Sequence, residues 1–221
     1  MLKSTFKSRV FYSTILFFII SIFPSFGQQL HLNCSPEASK FSWDRSPSGN
    51  TEFDWSDGTL SNTINNIANS GVNATITFSG NTNSLARWPG SNTTSDSPAV
   101  GTDATGSDNL QFYTEGFSNA DGVTITITLS EPVYAVGFDL LHINTSGQSG
   151  DKYTISASTS NGSTVFPSFI NATSASYTFD NSTGTINSTG SSAGSESRIG
   201  VNFSEEDKLT TITIQWQDCE T

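Results

Sequence analysis

Residues 123–129, VTITITL, set Val123, Ile125, Ile127 and Leu129 against Thr124, Thr126 and Thr128 in strict alternation. Successive side chains of a β-strand point to opposite faces, so this period of two buries one face and wets the other. A helix, with its period of 3.6, cannot use the pattern. The chain then runs through Glu131-Pro132 into an apolar stretch at 133–141, a Gly/Ser loop with acids at its edges, and another strand candidate at 153–157. Both faces of 133–141 are apolar, which predicts a central strand of an inner sheet, with Pro132 marking the turn before it.

The same alternation recurs. Val72, Ala74, Ile76 and Phe78 oppose Asn73, Thr75 and Thr77; Ile212, Ile214 and Trp216 oppose Thr211, Thr213 and Gln215. Shorter strand candidates lie at 165–166, 177–179, 185–187 and 199–203, separated by turn residues such as Asp57-Gly58, Ser79-Gly80-Asn81, Asp121-Gly122, Asn161-Gly162 and 181–184. Asn161-Gly162 between two strand patterns predicts a hairpin. Residues 61–70 carry weak helical character through Ile64, Ile67 and Ala68, and 87–110 reads as one long irregular region. Many short strands and almost no helix predict an all-β chain, an antiparallel β-sandwich of jelly-roll-like form.

The N-terminus reads as a secretory signal peptide. Lys3, Lys7 and Arg9 precede an apolar run at 11–23 that is short for a membrane span, and cleavage is expected after Gly27. This leaves a single β-sandwich domain at 28–221, with a secreted or extracellular destination that includes the cell surface. Of the nine Lys+Arg residues three leave with the leader, so six basic side chains face twenty acidic ones, a net charge of −14. Nucleic acid and anionic membrane surfaces need clustered cations, so neither is expected as a partner, and no membrane insertion is expected. Ser and Thr make up roughly 30% of the chain, well above ordinary usage. Cys34 and Cys219 sit near the two ends of the mature chain, and in an oxidising compartment they are expected to form a disulfide. Closing so long a loop contributes about 4–5 kcal/mol in the chain-entropy account.

Several segments together resemble a group of secreted β-sandwich domains found in adhesin-like surface proteins of Bacteroidota, distantly similar to the lectin-like region of streptococcal fibrillar surface adhesins. They are Phe53-Asp54-Trp55, residues 124–129 with Glu131-Pro132-Val133, residues 136–143, Asp151-Lys152-Tyr153-Thr154-Ile155, Val201-Asn202-Phe203 and Ile212-Thr213-Ile214. The resemblance implies a sandwich that binds or displays and does not catalyse. The group usually carries an acid where His142 or Asn144 stands here.

Asp139 lies inside an apolar strand pattern, and a buried carboxylate needs a partner. Asp151 follows the next loop. Calcium takes several oxygen ligands, so Asp139, Asn144 and Asp151 form the candidate metal site; the alternative is that Asp139 accepts backbone N–H bonds and Asp151 caps a strand. Trp88, beside Pro89-Gly90, offers a flat face for stacking on sugar rings, and with Asp103, Asp108 and Asn109 it makes the candidate ligand-binding loop. A second acidic group is Asp44, Asp54 and Asp57. Gly190-Ser191-Ser192-Ala193-Gly194 fits G-x-S-x-G but lacks the strand-turn-helix setting of a hydrolase elbow. The threonine rows are similar to ice-binding ladders, yet no internal repeat is present to stack them, and solvent-facing strand positions account for them. The expectation is a non-catalytic module binding polysaccharide or a surface glycoprotein. A structural spacer, or a carbohydrate-active enzyme using paired carboxylates, are the alternatives.

Overall fold

The computed structural model describes residues 41–42, 51–52, 55–56, 58–67, 70–85, 98–102, 108–112, 122–141, 143, 145–146, 149–171, 177–189 and 198–220. In chain order the strands are β1 (Phe41–Ser42), β2 (Thr51–Glu52), β3 (Ser61–Ile64), β4 (Ala74–Gly80), β5 (Ala99–Thr102), β6 (Asp108–Gln111), β7 (Gly122–Val133) and β8 (Gly137–Leu141). They continue as β9 (Thr145–Ser146), β10 (Ser149–Thr159), β11 (Thr164–Val165), β12 (Ser168–Asn171), β13 (Tyr177–Asp180), β14 (Thr185–Ser188), β15 (Arg198–Asn202) and β16 (Leu209–Glu220). A 3-10 turn at Thr82–Ser84 follows β4.

The strands form a nine-stranded sheet with the path β13-β14-β10-β16-β7-β4-β3, with β11 and β9 added beside β10. A three-stranded sheet runs β12-β15-β8, and two further pairs are β5-β6 and β1-β2. Among the described residues every ladder is antiparallel except β1-β2. This is the all-β, antiparallel, sandwich-like architecture that the alternation predicts.

The alternation also decides which side chains are buried. Val123, Ile76, Phe78, Ile155, Ala157, Ile212, Ile214 and Trp216 from the large sheet join Ile199 and Val201 from β15 in one core cluster. Phe138 and Leu140 of β8 pack against it. Phe169 of β12 stacks on Phe179 of β13, with centroids 5.5 Å apart, so aromatic packing also ties the two sheets together. A second aromatic run, Trp55 to Phe78 to Phe112 to Trp216, has each ring edge-on to the next at 5.9 Å. Such edge-to-face pairs contribute about 0.5–1.5 kcal/mol beyond the area they bury. Trp55 is a core residue, and its indole N–H donates to the Thr59 carbonyl at 3.0 Å.

Four expectations need correction. Pro132 lies inside β7, not in the turn after it; the chain turns one step later, at Tyr134-Ala135, where Ala135 has φ 53°. Proline lacks the N–H a ladder requires, and β7 tolerates it because the pairing with β16 is bulged there: Val133 faces Leu209, but Thr128 already faces Thr211. The apolar run at 133–141 is therefore broken, and its second part, β8, is an edge of the small sheet rather than a central strand. Residues 61–64 are a strand, β3, so of the weakly helical stretch only Ile67, in 3-10 conformation with its carbonyl accepting the Ser70 N–H, is helical among the described residues. Finally, 87–110 contains β5 and the start of β6, which pair from Ala99 opposite Gln111 to Thr102 opposite Asp108.

The predicted hairpin at Asn161-Gly162 is present. Ala157 pairs with Val165, Gly162 has φ +84°, and the Asn161 side chain accepts the Ser163 backbone N–H at 3.0 Å. The leader region, Trp43, Asp44, Asp54, Asp57, His142 and the Gly190–Gly194 motif lie outside the described residues.

Candidate functional site

The candidate metal residues Asp139 and Asp151 stand on strands of different sheets. Asp139 stands in β8 of the small sheet, opposite Gly200 of β15, and is exposed rather than buried. Its neighbours Phe138 and Leu140 turn inward, so strand alternation itself sends the carboxylate outward, and no buried charge needs compensation. Asp151 belongs to β10 of the large sheet, where its carboxylate accepts the indole N–H of Trp216 at 2.8 Å. Asn144 lies outside the described residues. No group of three His, Cys, Asp or Glu side chains suited to a metal occurs among the described residues.

Of the candidate ligand-binding loop, Trp88 and Asp103 lie outside the described residues. Asp108 and Asn109 are strand residues of β6, paired with Thr102 and Gly101, and Asn109 is half-buried. Cys34 lies outside the described residues, and Cys219 stands in β16 opposite Gly150. Among the described residues no helix is long and apolar enough to cross a membrane.

The Asp151–Trp216 contact organises the end of the β10–β16 ladder. Tyr153 lies directly opposite Trp216 and is buried. Burial, reinforced by the nearby Asp151 carboxylate, holds the Tyr153 phenol well above the usual tyrosine range, because a phenolate there would be both desolvated and repelled.

The other face of the same strands is chemically distinct. Antiparallel registers align its residues into rows that cross the sheet. One row is Thr63, Thr75, Thr128, Thr211 and Ser158. The next is Ser61, Thr77, Thr126, Thr213 and Ser156. A third is Ser79, Thr124, Gln215, Thr154 and Thr185, and a fourth Gly122, Gln217, Lys152 and Asn187. Every one of these residues is exposed or half-buried. The Thr63 and Thr75 hydroxyls share a hydrogen bond at 2.9 Å, and those of Ser61 and Thr77 one at 3.0 Å. Neighbouring strands stand about 4.8 Å apart and alternate residues of one strand roughly 6.8 Å apart, so hydroxyl and amide groups tile this face at short, regular intervals.

Lys152 brings one charge into these rows, and at β13 the register continues them to Thr178 and Asp180, so an exposed carboxylate ends the third row. The T-x-T spacing of three strands shows in the sequence, but the rows depend on pairings such as Thr77 with Thr126, which no local pattern reveals.

No protein-family model, curated protein or solved structure matches this chain.

Proposed function

We propose that this chain is a secreted, non-catalytic binding module of the adhesin type, taking neutral polysaccharide or a glycosylated surface on the outer face of its large sheet. The observation that carries this is a face built mainly of hydroxyl and amide side chains, with Lys152 and Asp180 as charged members on its β10 and β13 side, on an otherwise strongly acidic chain. Neutral sugars offer hydroxyls that both donate and accept. Ser, Thr and Gln side chains do the same, whereas carboxylates only accept and ammonium groups only donate. Many such contacts, each modest, add along a polymer. An anionic polymer would be repelled by the strongly acidic chain as a whole.

The test is retention of purified 28–221 by immobilised neutral and acidic polysaccharides and by glycoproteins, first with calcium and then with chelator. The expected result is retention on at least one neutral polymer, unchanged by chelator. Retention only on acidic polymers, or retention abolished by chelator, would move the ligand to the Asp139/Asn144/Asp151 region. No retention on any surface would leave a structural spacer.

A further inference from the structure

We propose that the hollow between β7 and β16 on this face is a subsite for one sugar ring of a neutral polysaccharide chain, with Gln215 and Gln217 as its polar clamp. The inference rests on the binding function proposed above and names where that ligand is read. The hollow has a volume of about 180 Å³ and is lined by Gly122, Thr124, Gln215, Trp216 and Gln217.

Its origin lies in glycine placement. Gly122 faces Gln217 across the ladder, so one side of that pair has no side chain. A Cβ on Gly122 would come within 2.5 Å of the Trp216 carbonyl oxygen and 3.2 Å of Gln217 Cγ. A Cβ on Gly80, already at φ +89°, would meet the Gly122 carbonyl oxygen at 2.5 Å. The three strands therefore approach too closely here for any other residue, and the missing side chains leave the space open. Glycine inside a strand often marks such a close approach of backbone or ligand.

The chemistry of the walls suits a neutral, hydroxyl-rich ring. Each Gln amide supplies two donors and an acceptor, enough to span adjacent ring hydroxyls, and the Thr124 hydroxyl does both. Thr154 stands opposite Gln215, and Lys152 opposite Gln217, so the rim on the β10 side adds donors. No carboxylate lines the hollow. The strand spacing of about 4.8 Å is close to the advance per residue of an extended hexose polymer, so a chain crossing the strands would meet Ser79, Thr124, Gln215 and Thr154 at about one sugar each.

The experiment uses the mature chain and linear neutral gluco-, manno- and xylo-oligosaccharides, with binding followed by calorimetry and by NMR of side-chain amides. The expected result is that one series binds, that the Gln215 and Gln217 amide resonances move on titration, and that Gln215→Ala and Gln217→Ala each weaken binding about tenfold. Glu205→Gln, exposed in the turn before β16 and outside the four rows, should change it less than twofold. Both glutamines are exposed or half-buried, so unfolding midpoints should stay near the parent value and confirm folded variants. If a series binds but neither glutamine variant loses affinity and neither amide moves, the subsite is wrong while the binding function stands. If no series and no parent polymer binds, the function itself fails and the subsite with it.

Discussion

At the residue scale, the Trp216–Asp151–Tyr153 group shows how one buried end of a ladder is set by a few atoms. Asp151 shares the inward face with Tyr153 and is held by the Trp216 indole. Tyr153 is opposite Trp216 and must stay protonated, since burial and then the Asp151 charge both disfavour the phenolate. The sign of the resulting pH dependence follows from linkage. A group whose folded pKa lies above its unfolded value binds its proton more tightly when folded. Its contribution is fully present below the unfolded tyrosine value of about 10 and is lost as the pH rises toward the folded one. Urea unfolding of the parent chain should therefore show a midpoint that falls above about pH 10, and Tyr153→Phe should flatten that fall. An unchanged alkaline slope in the phenylalanine variant would show that Tyr153 does not control it.

Most elements were legible in the sequence because strand alternation is local. Residues 72–78, 123–129, 153–157 and 212–216 all alternate as expected, since each buries one face against the same core. What failed was punctuation. Pro132 looked like a turn, but a bulge against Leu209 and Thr211 admits it within β7. The 133–141 run looked doubly buried, yet a left-handed Ala135 splits it and leaves β8 at an edge. Asp139 shares that error: its outward position follows from an edge strand's alternation, which could not be assigned until the break was known. Turn glycines give a test at this scale. Gly184 has φ +66°, and an added Cβ would run into the Ile155 carbonyl oxygen across the ladder, whereas Gly162 has φ +84° with open space around it. Gly162→Ala should cost about 1 kcal/mol from backbone strain alone, and Gly184→Ala clearly more, because the β10–β14 ladder must also shift. Denaturant unfolding of both variants checks the order, and equal losses would mean that β14 yields freely.

The hydroxyl-rich face exists only at the scale of the whole molecule. Its threonines looked like isolated solvent positions because no repeat was visible, but antiparallel pairing stacks residues far apart in the chain without any repeat. Sheets of this kind twist by about 20–25° per strand, so the rows turn progressively across the molecule. That geometry suits a flexible polymer that follows the twist better than a planar crystal surface. A carboxylate placed in the middle of the rows separates contact from fold. Thr126 pairs with Thr77 and Thr213 and sits in the second row. Thr126→Asp should cost no more than about 1 kcal/mol of stability, the span of strand propensities, because the position is only half-buried. Binding to a neutral polysaccharide should fall about tenfold or more, since the new charge must be desolvated wherever the polymer covers it. Added salt should not restore it, because desolvation is not a screened interaction, and the parent chain's affinity should itself be nearly independent of salt. Parent-like binding by the variant would remove this face from the contact surface, and a steep salt dependence of the parent would make the ligand a charged one.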